Sequence, residues 1–324
     1  MKKMAKIIFP VIAVLFMAMP VAAQTADEIT QLKLQDLNRL KDNGYFKGYL
    51  SPMISTVGSG LLTGLWKSAD MAGTRFRYYV GIDAQNVWIP NDLLKFSTPS
   101  SYSATGNVNT PTLFGGKPAV VQNASNLVDA SFLPGLLPSE GGFLPTGSLH
   151  LTLGSLYGTA MTTRFLYIPD VFKLGDKLKQ STGSSLWLLS LGLAHSVTQY
   201  FKDLPFDGAV SFSYGHGSLL DLVFVNAYAV DLNLSRKLAI FEFLGGIGWG
   251  MSQGSVDFRV TPDMLNDNRL ASDFEFRVKE NNVDGLSSVH GNFGLSIQAG
   301  RFSTSGVFML AKQMSAGISL GFGM

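Results

Sequence analysis

The sequence predicts an all-β fold, an antiparallel transmembrane β-barrel of about ten strands (range about 8–14) preceded by a short helix. Three observations carry this. Residues 238–251, LAIFEFLGGIGWGM, alternate at a spacing of two. Phe241, Phe243, Ile247, Trp249 and Met251 share one side, and Glu242, Gly246, Gly248 and Gly250 share the other. A helical period would mix Glu242 with the aromatics, whereas a strand separates an apolar face from a face of small and polar groups. Charged residues make up 15% of the chain and hydrophobic ones 46%, yet beyond the N-terminus there is no apolar run long enough for a spanning helix. Finally, short and long connections alternate between the strands, as they do in outer-membrane barrels.

The first residues read as an export signal. Lys2, Lys3 and Lys6 precede an apolar segment from Ile7 to Met19, and Val21-Ala22-Ala23 supplies small residues before Gln24. Residues 1–23 are therefore expected to be removed. In residues 24–44, Thr25 with Glu28 has capping-box spacing, Ile29, Leu32, Leu37 and Leu40 form a stripe, and Gly44 is a stop; this predicts a short periplasmic helix. Residues 45–72 hold Pro52, Gly58, Gly60, Gly64 and Trp66 among apolar neighbours and alternate poorly. That stretch is expected either to fold into the lumen as a plug or to add a strand pair, which would make twelve strands.

Residues 73–324 form the barrel. The strands are read at 74–88, 148–154, 159–168, 185–199, 208–215, 223–234, 238–251, 289–299, 304–311 and 315–324. The connections at 154–158, 200–207, 235–237 and 300–303 are short. Those at 91–146, 169–184 and 252–288 are long, while two near Ser218 and Lys312 are tight. The first long loop is rich in Ser, Thr, Asn, Gly and Pro, with Pro111–Gly115 its most structured part; its length marks it as functional or mobile. An even strand count returns the C-terminus to the side of the N-terminus.

The polar faces of these strands place Arg75, Arg77, Asp83, Arg164, Asp231, Glu242 and His290 toward the lumen, because charge facing hydrocarbon is costly. They form either a charged constriction or a set of salt bridges that stiffen a narrow barrel. Trp88, Tyr167, Trp187 and Trp249 fall near the outer ends of their strands, as an interfacial girdle would. The last strand alternates Ile318, Leu320, Phe322 and Met324 with Gly317, Ser319, Gly321 and Gly323, an ending suited to barrel-assembly machinery, although Met324 stands where a terminal aromatic is usual.

In Pro52 and Trp66, Phe114-Gly115, Gly158-Thr159 leading to Arg164-Phe165 and Pro169, and Leu204-Pro205, the chain resembles an uncharacterised family of outer-membrane barrel proteins from Gram-negative bacteria. More distantly it is similar to fatty-acid-transporter-type barrels, whose N-terminal segment plugs the lumen. The resemblance implies an outer-membrane location and a barrel fold, and carries no agreed substrate.

No catalytic or metal site is expected, and no cofactor. The two Gly-x-Ser-x-Gly matches, at 250–254 and 317–321, lie in or beside alternating strands and lack the strand-to-helix turn of a nucleophile elbow. Of His150, His195, His216 and His290, none is spaced for a helical zinc site. His290 falls toward the lumen and is the strongest candidate for a barrel hydrolase, and His195 falls toward lipid. The absence of cysteine excludes disulfides and thiolate chemistry, and a net charge of +2 argues against nucleic acid. The partners expected are outer-membrane lipid, the assembly machinery and a small hydrophobic ligand. Passive passage or binding of such a solute is the leading function. The alternatives are a structural or partner-binding barrel and, third, an interfacial lipid hydrolase.

Overall fold

A computed structural model describes residues 45–71, 76–98, 109–115, 120–121, 130–131, 142–168, 185–201, 204–219, 223–260 and 276–323. The expected signal peptide, the helix expected over 24–44, and Arg75 lie outside them. One helix, α1 (Tyr45–Leu62), precedes the strands. The barrel strands are β1 (Arg77–Trp88), β6 (Phe143–Leu156), β7 (Thr159–Ile168), β8 (Leu186–Ser196), β9 (Asp207–Leu219), β10 (Val223–Leu238), β11 (Phe241–Val260), β12 (Phe276–Ala299), β13 (Phe302–Leu310) and β14 (Ser315–Gly323). These ten form a closed antiparallel barrel in which each strand pairs with its neighbours in sequence and β1 closes it by pairing with both β6 and β14. Two small hairpins, β2–β3 (Lys95–Ser97, Asn109–Pro111) and β4–β5 (Val120–Val121, Ala130–Ser131), lie in the loop between β1 and β6.

Strand number, direction and inward face follow the alternation in the sequence; several ends do not. β11 and β12 run to Val260 and from Phe276, so much of the stretch expected as the polar loop 252–288 is strand. The reason lies in β12, whose register against β11 shifts twice, between Met251/Gln253 and between Gly254/Val256. Each bulge adds a residue and swaps the inward parity, so His290 and Ser296 face in below the bulges and Val283 faces in between them. The β10–β11 turn is at Ala239–Ile240 rather than 235–237, and β8 stops at Ser196, where a 3-10 turn (Thr198–Tyr200) follows. At the β6–β7 turn Tyr157 and Gly158 both have positive φ, 52° and 74°, the backbone a two-residue hairpin needs.

The segment before β1 adds no strand pair. It is the helix α1 followed by an extended run to Met71, and it lies inside the barrel: α1 packs against β1, β6, β8, β9, β10, β11 and β12. Tyr45, Phe46, Tyr49, Leu50, Ile54, Val57 and Leu61 are buried with Val223, Val225 and Ala227 of β10, Val256 of β11 and Val283 of β12. Leu65, Trp66, Ala69 and Met71 pack below on Ala160, Ala194 and Ala209. Tyr45 lies at the long-loop end, with Phe96 of β2 against its ring at 5.2 Å, whereas Asp70 lies at the short-turn end beside Arg77. The lumen passage therefore adds one transit to the ten strands. It places Tyr45 opposite the C-terminus, which ten strands alone would not do.

Outward-facing side chains form a continuous apolar belt that includes Val80, Leu149, Phe165, Leu193, Phe212, Leu232, Phe243, Phe293 and Leu320. Ile247, Ile318 and Val289 are 58%, 61% and 63% exposed, a surface water would not tolerate over a whole barrel but hydrocarbon does. Charge should be penalised by depth in this belt. Leu232→Arg, midway along β10, is expected to cost about 2–4 kcal/mol, and Met251→Arg, near the long-loop edge, about 1 kcal/mol or less. Denaturant unfolding in phospholipid vesicles measures both, and equal losses would contradict the belt.

Candidate functional site

Among the described residues the lumen is a concave surface on which polar groups converge, and α1 fills it. Space for the helix comes from small wall residues. A Cβ added at Gly215 would lie 2.6 Å from Leu61, at Gly254 2.6 Å from Ile54, and at Gly192 2.7 Å from Trp66. The helix returns the fit: a Cβ on Gly58 would lie 2.4 Å from Ser252. Between Gly58, Leu62, Gly250, Ser288, His290 and Met309 there is a void of about 10 Å³, room for roughly one water.

The contacts of α1 change character along its length. Near the long-loop end they are mainly apolar, with a few hydrogen bonds. Ser51 Oγ donates to the Asp284 carbonyl at 2.6 Å, Ser55 Oγ to Gln313 Oε1 at 2.9 Å, and Gln313 Nε2 to Thr56 Oγ1 at 2.6 Å. The Pro111–Gly115 segment caps this end: Leu113 N–H donates to the Tyr49 carbonyl at 3.1 Å, and Leu113 and Phe114 are buried. At the other end Leu62 closes the helix and Gly64, at φ 66°, turns the chain as helix C-termini require. There the exposed carbonyls meet Arg164, which donates Nη1–H to the Thr63 carbonyl at 2.7 Å and Nη2–H to that of Leu61. Ser190 Oγ adds a bond to Leu61 at 2.8 Å. A guanidinium at the negative end of the helix dipole is a favourable cap.

Asp83 is the centre of the ionic cluster below. Its Oδ1 accepts from Lys67 Nζ at 3.1 Å, and its Oδ2 accepts from His150 Nδ1 at 2.6 Å, with Arg164 at 3.9 Å. Since a carboxylate only accepts, His150 carries its proton on Nδ1 and turns Nε2 to Thr162 at 2.7 Å. Lys67 also lies 3.9 Å from the centre of the Tyr79 ring, a cation–π contact. On the opposite wall His290 Nε2 donates to Asp231 Oδ1 at 2.6 Å, and Asn292 Nδ2 donates to the same oxygen at 3.1 Å. Gly248 stands between their strands in one row, and a Cβ there would lie 2.2 Å from Asp231 Oδ1. The pair meets only because that position carries no side chain.

Below α1 the extended run is tied down group by group. Trp66 Nε1 donates to Ser213 at 3.2 Å, Ser296 to the Lys67 carbonyl at 3.2 Å, Ser68 to Glu242, and the Ala69 amide to Ser235 at 3.1 Å. Arg77 pairs with Asp70 at 2.9 Å. The six lumen residues within the described chain thus divide three ways. Asp83 and Arg164 form one cluster, Asp231 and His290 another, and Glu242 and Arg77 hold the short-turn end. Of the aromatic positions, Tyr167 and Trp249 are exposed on the outer face, Trp88 edges onto Phe308 at 5.9 Å, and Trp187 tilts over His216 at 4.9 Å.

Sequence reasoning missed His150, Lys67 and Gln313 as members of the site. His150 shares a strand face with Ser148 and Thr152, a signal that it points inward, but its partner across β1 depends on register. Lys67 and Gln313 lie in connections, where no alternation assigns a face. His195 contacts Thr159 and Tyr200 at the short-turn edge, away from the lumen clusters. Ser252 and Ser319 of the Gly-x-Ser-x-Gly matches lie within β11 and β14, with no turn into a helix. Among the described residues no cluster of three or more His, Asp or Glu could hold a metal.

Among solved structures the chain is similar to OmpT, an outer membrane protein of Vibrio cholerae, at 8% identity over 77% of this chain and 99% of that one, with a TM-score of 0.26. It is also similar to the Ralstonia pickettii toluene transporter TbuX, at 8% identity, 82% and 93% coverage and a TM-score of 0.30. A third is a Pseudomonas aeruginosa FadL homologue, at 9% identity, 83% and 97% coverage and a TM-score of 0.23. At these scores the likenesses carry no functional argument. No curated protein matches the chain. A family model described as a family of unknown function (DUF6588) matches residues 1–324, and the chain belongs to that family.

Proposed function

We propose that this protein is exported to the outer membrane of a Gram-negative bacterium, inserted by the barrel-assembly machinery, and there binds or passes small hydrophobic solutes. In this reading α1 and the run to Met71 are the plug, and the β1–β6 loop is the outer gate. The observation that carries it is the chemistry of the wall behind the helix. Val223, Val225, Ala227, Val256 and Val283 line the long-loop half of the lumen and are covered by α1. A wall of that kind suits an apolar solute, whereas an aqueous pore would present polar side chains there. Arg164, Asp83 and Lys67 anchor the plug at its inner half and fix which way it can yield.

Locking the outer half tests this. The chain has no cysteine, and a Cβ at Gly254 lies 2.7 Å from Ile54 Cγ1, so Ile54→Cys with Gly254→Cys brings two thiols within bonding reach. Uptake of a neutral hydrophobic dye by cells whose outer leaflet excludes it should fall, on oxidation, to the level of cells lacking the protein, and return with reductant. Uptake indifferent to the lock, and to deletion of residues 45–71, would leave the structural or partner-binding reading in its place. Arg164→Met removes donors from two helix-end carbonyls and a cation from Asp83. A loss of about 3 kcal/mol from plug docking should raise amide exchange in Tyr45–Leu62 on the order of a hundredfold, while the barrel strands stay protected.

A further inference from the structure

The direction in which the chain passes through the barrel has a consequence for its topology in the membrane. At the long-loop end the first turn of α1 is held by loop residues: the Tyr45 ring lies against Phe96, and Leu113 donates to the Tyr49 carbonyl. Six residues on, Ser51 reaches Asp284, between the two bulges of β12. Arg164 and Ser190 meet Leu61 at mid-lumen. Ser68, Ala69 and Asp70 then meet Glu242, Ser235 and Arg77, which begin or end their strands at the short-turn end. Every contact orders the segment the same way. The chain runs through the lumen from the long loops to the short turns and only then starts β1.

We infer that the chain enters the barrel from outside the cell, with Tyr45 at the extracellular mouth, and passes inward through the lumen before the first strand. This rests on the orientation used above, in which long loops face out and short turns face the periplasm. The protein then crosses the membrane once more than its strands do, and Tyr45 lies at the face opposite that of Gly323, the last residue of β14. The described segment fills the lumen along this path. The wall is in van der Waals contact with α1 at Gly215 and Gly254 and with the run after it at Gly192, and the void beside His290 holds about one water.

Single thiols test this, because the natural chain contributes none. Lys47, in the first turn of α1, Lys312, in the β13–β14 turn at the long-loop end, and Arg301, in the β12–β13 turn at the short-turn end, are all exposed. Lys47→Cys, Lys312→Cys and Arg301→Cys variants would be treated on intact cells with a maleimide attached to a polymer too large for outer-membrane pores. Lys47→Cys and Lys312→Cys should be labelled, and Arg301→Cys only after the outer membrane is permeabilised. Labelling of Lys312→Cys with protection of Lys47→Cys would overturn the inference while leaving the barrel's orientation intact. Labelling of Arg301→Cys with protection of Lys312→Cys would overturn the orientation on which it rests.

Discussion

The structure depends on a constraint of volume: ten strands enclose a space that side chains largely fill unless they are small, and here a helix must fit as well. The inner face meets this with glycine, serine and alanine wherever α1 comes near. Gly215 and Gly254 admit Leu61 and Ile54, and Gly192 admits the edge of Trp66. The outer face has no such limit and carries the large apolar groups. One alternation thus serves two packings, large side chains toward lipid and small ones toward the helix. It explains why β11 reads as aromatics interleaved with glycines.

Within that space the two halves of the plug are held by different physics. The outer half is held by burial of Ile54, Val57 and Leu61 against valines, an attraction without direction, reinforced by a few hydrogen bonds. The inner half is held by Arg164, Asp83, Lys67 and His150, whose contacts depend on geometry and leave costly unpaired groups when broken. Buried ions of this kind add little net stability and are better understood as fixing one register of the plug against the wall. Removing a partner is expensive for the same reason, since the remaining charge has no water to turn to.

Much of the barrel was legible in the sequence because lipid imposes a strict period. The bounds of β7 match to the residue, and those of β1 and β14 nearly so. The rest failed for identifiable reasons. α1 is buried on nearly every side beyond Lys47, so it shows no polar face, and Gly48, Pro52, Gly58 and Gly60 argue against a helix. Its formation is decided by the cavity around it rather than by its own propensities. The bulges in β12 swap the parity of the strand, so a reading that follows alternation stops where the first bulge begins. The pairing of His150 with Asp83 needs the β1–β6 register, and a single sequence does not supply it.

Anchoring and direction together decide where such a plug can open. The inner end is continuous with β1 after only a few residues, and Trp66, Lys67, Ser68, Ala69 and Asp70 each have a polar partner on the wall, so lifting it would strip many polar groups at once. Near the outer end, separating Ile54 from Gly254 or Leu61 from Gly215 exposes mainly hydrocarbon, and an apolar solute entering between them replaces what is lost. The same solute offers nothing to Asp83 or Arg164. On the proposed reading, opening would therefore begin at the long-loop mouth and proceed along the valines of β10 toward the ionic cluster, which would set its depth.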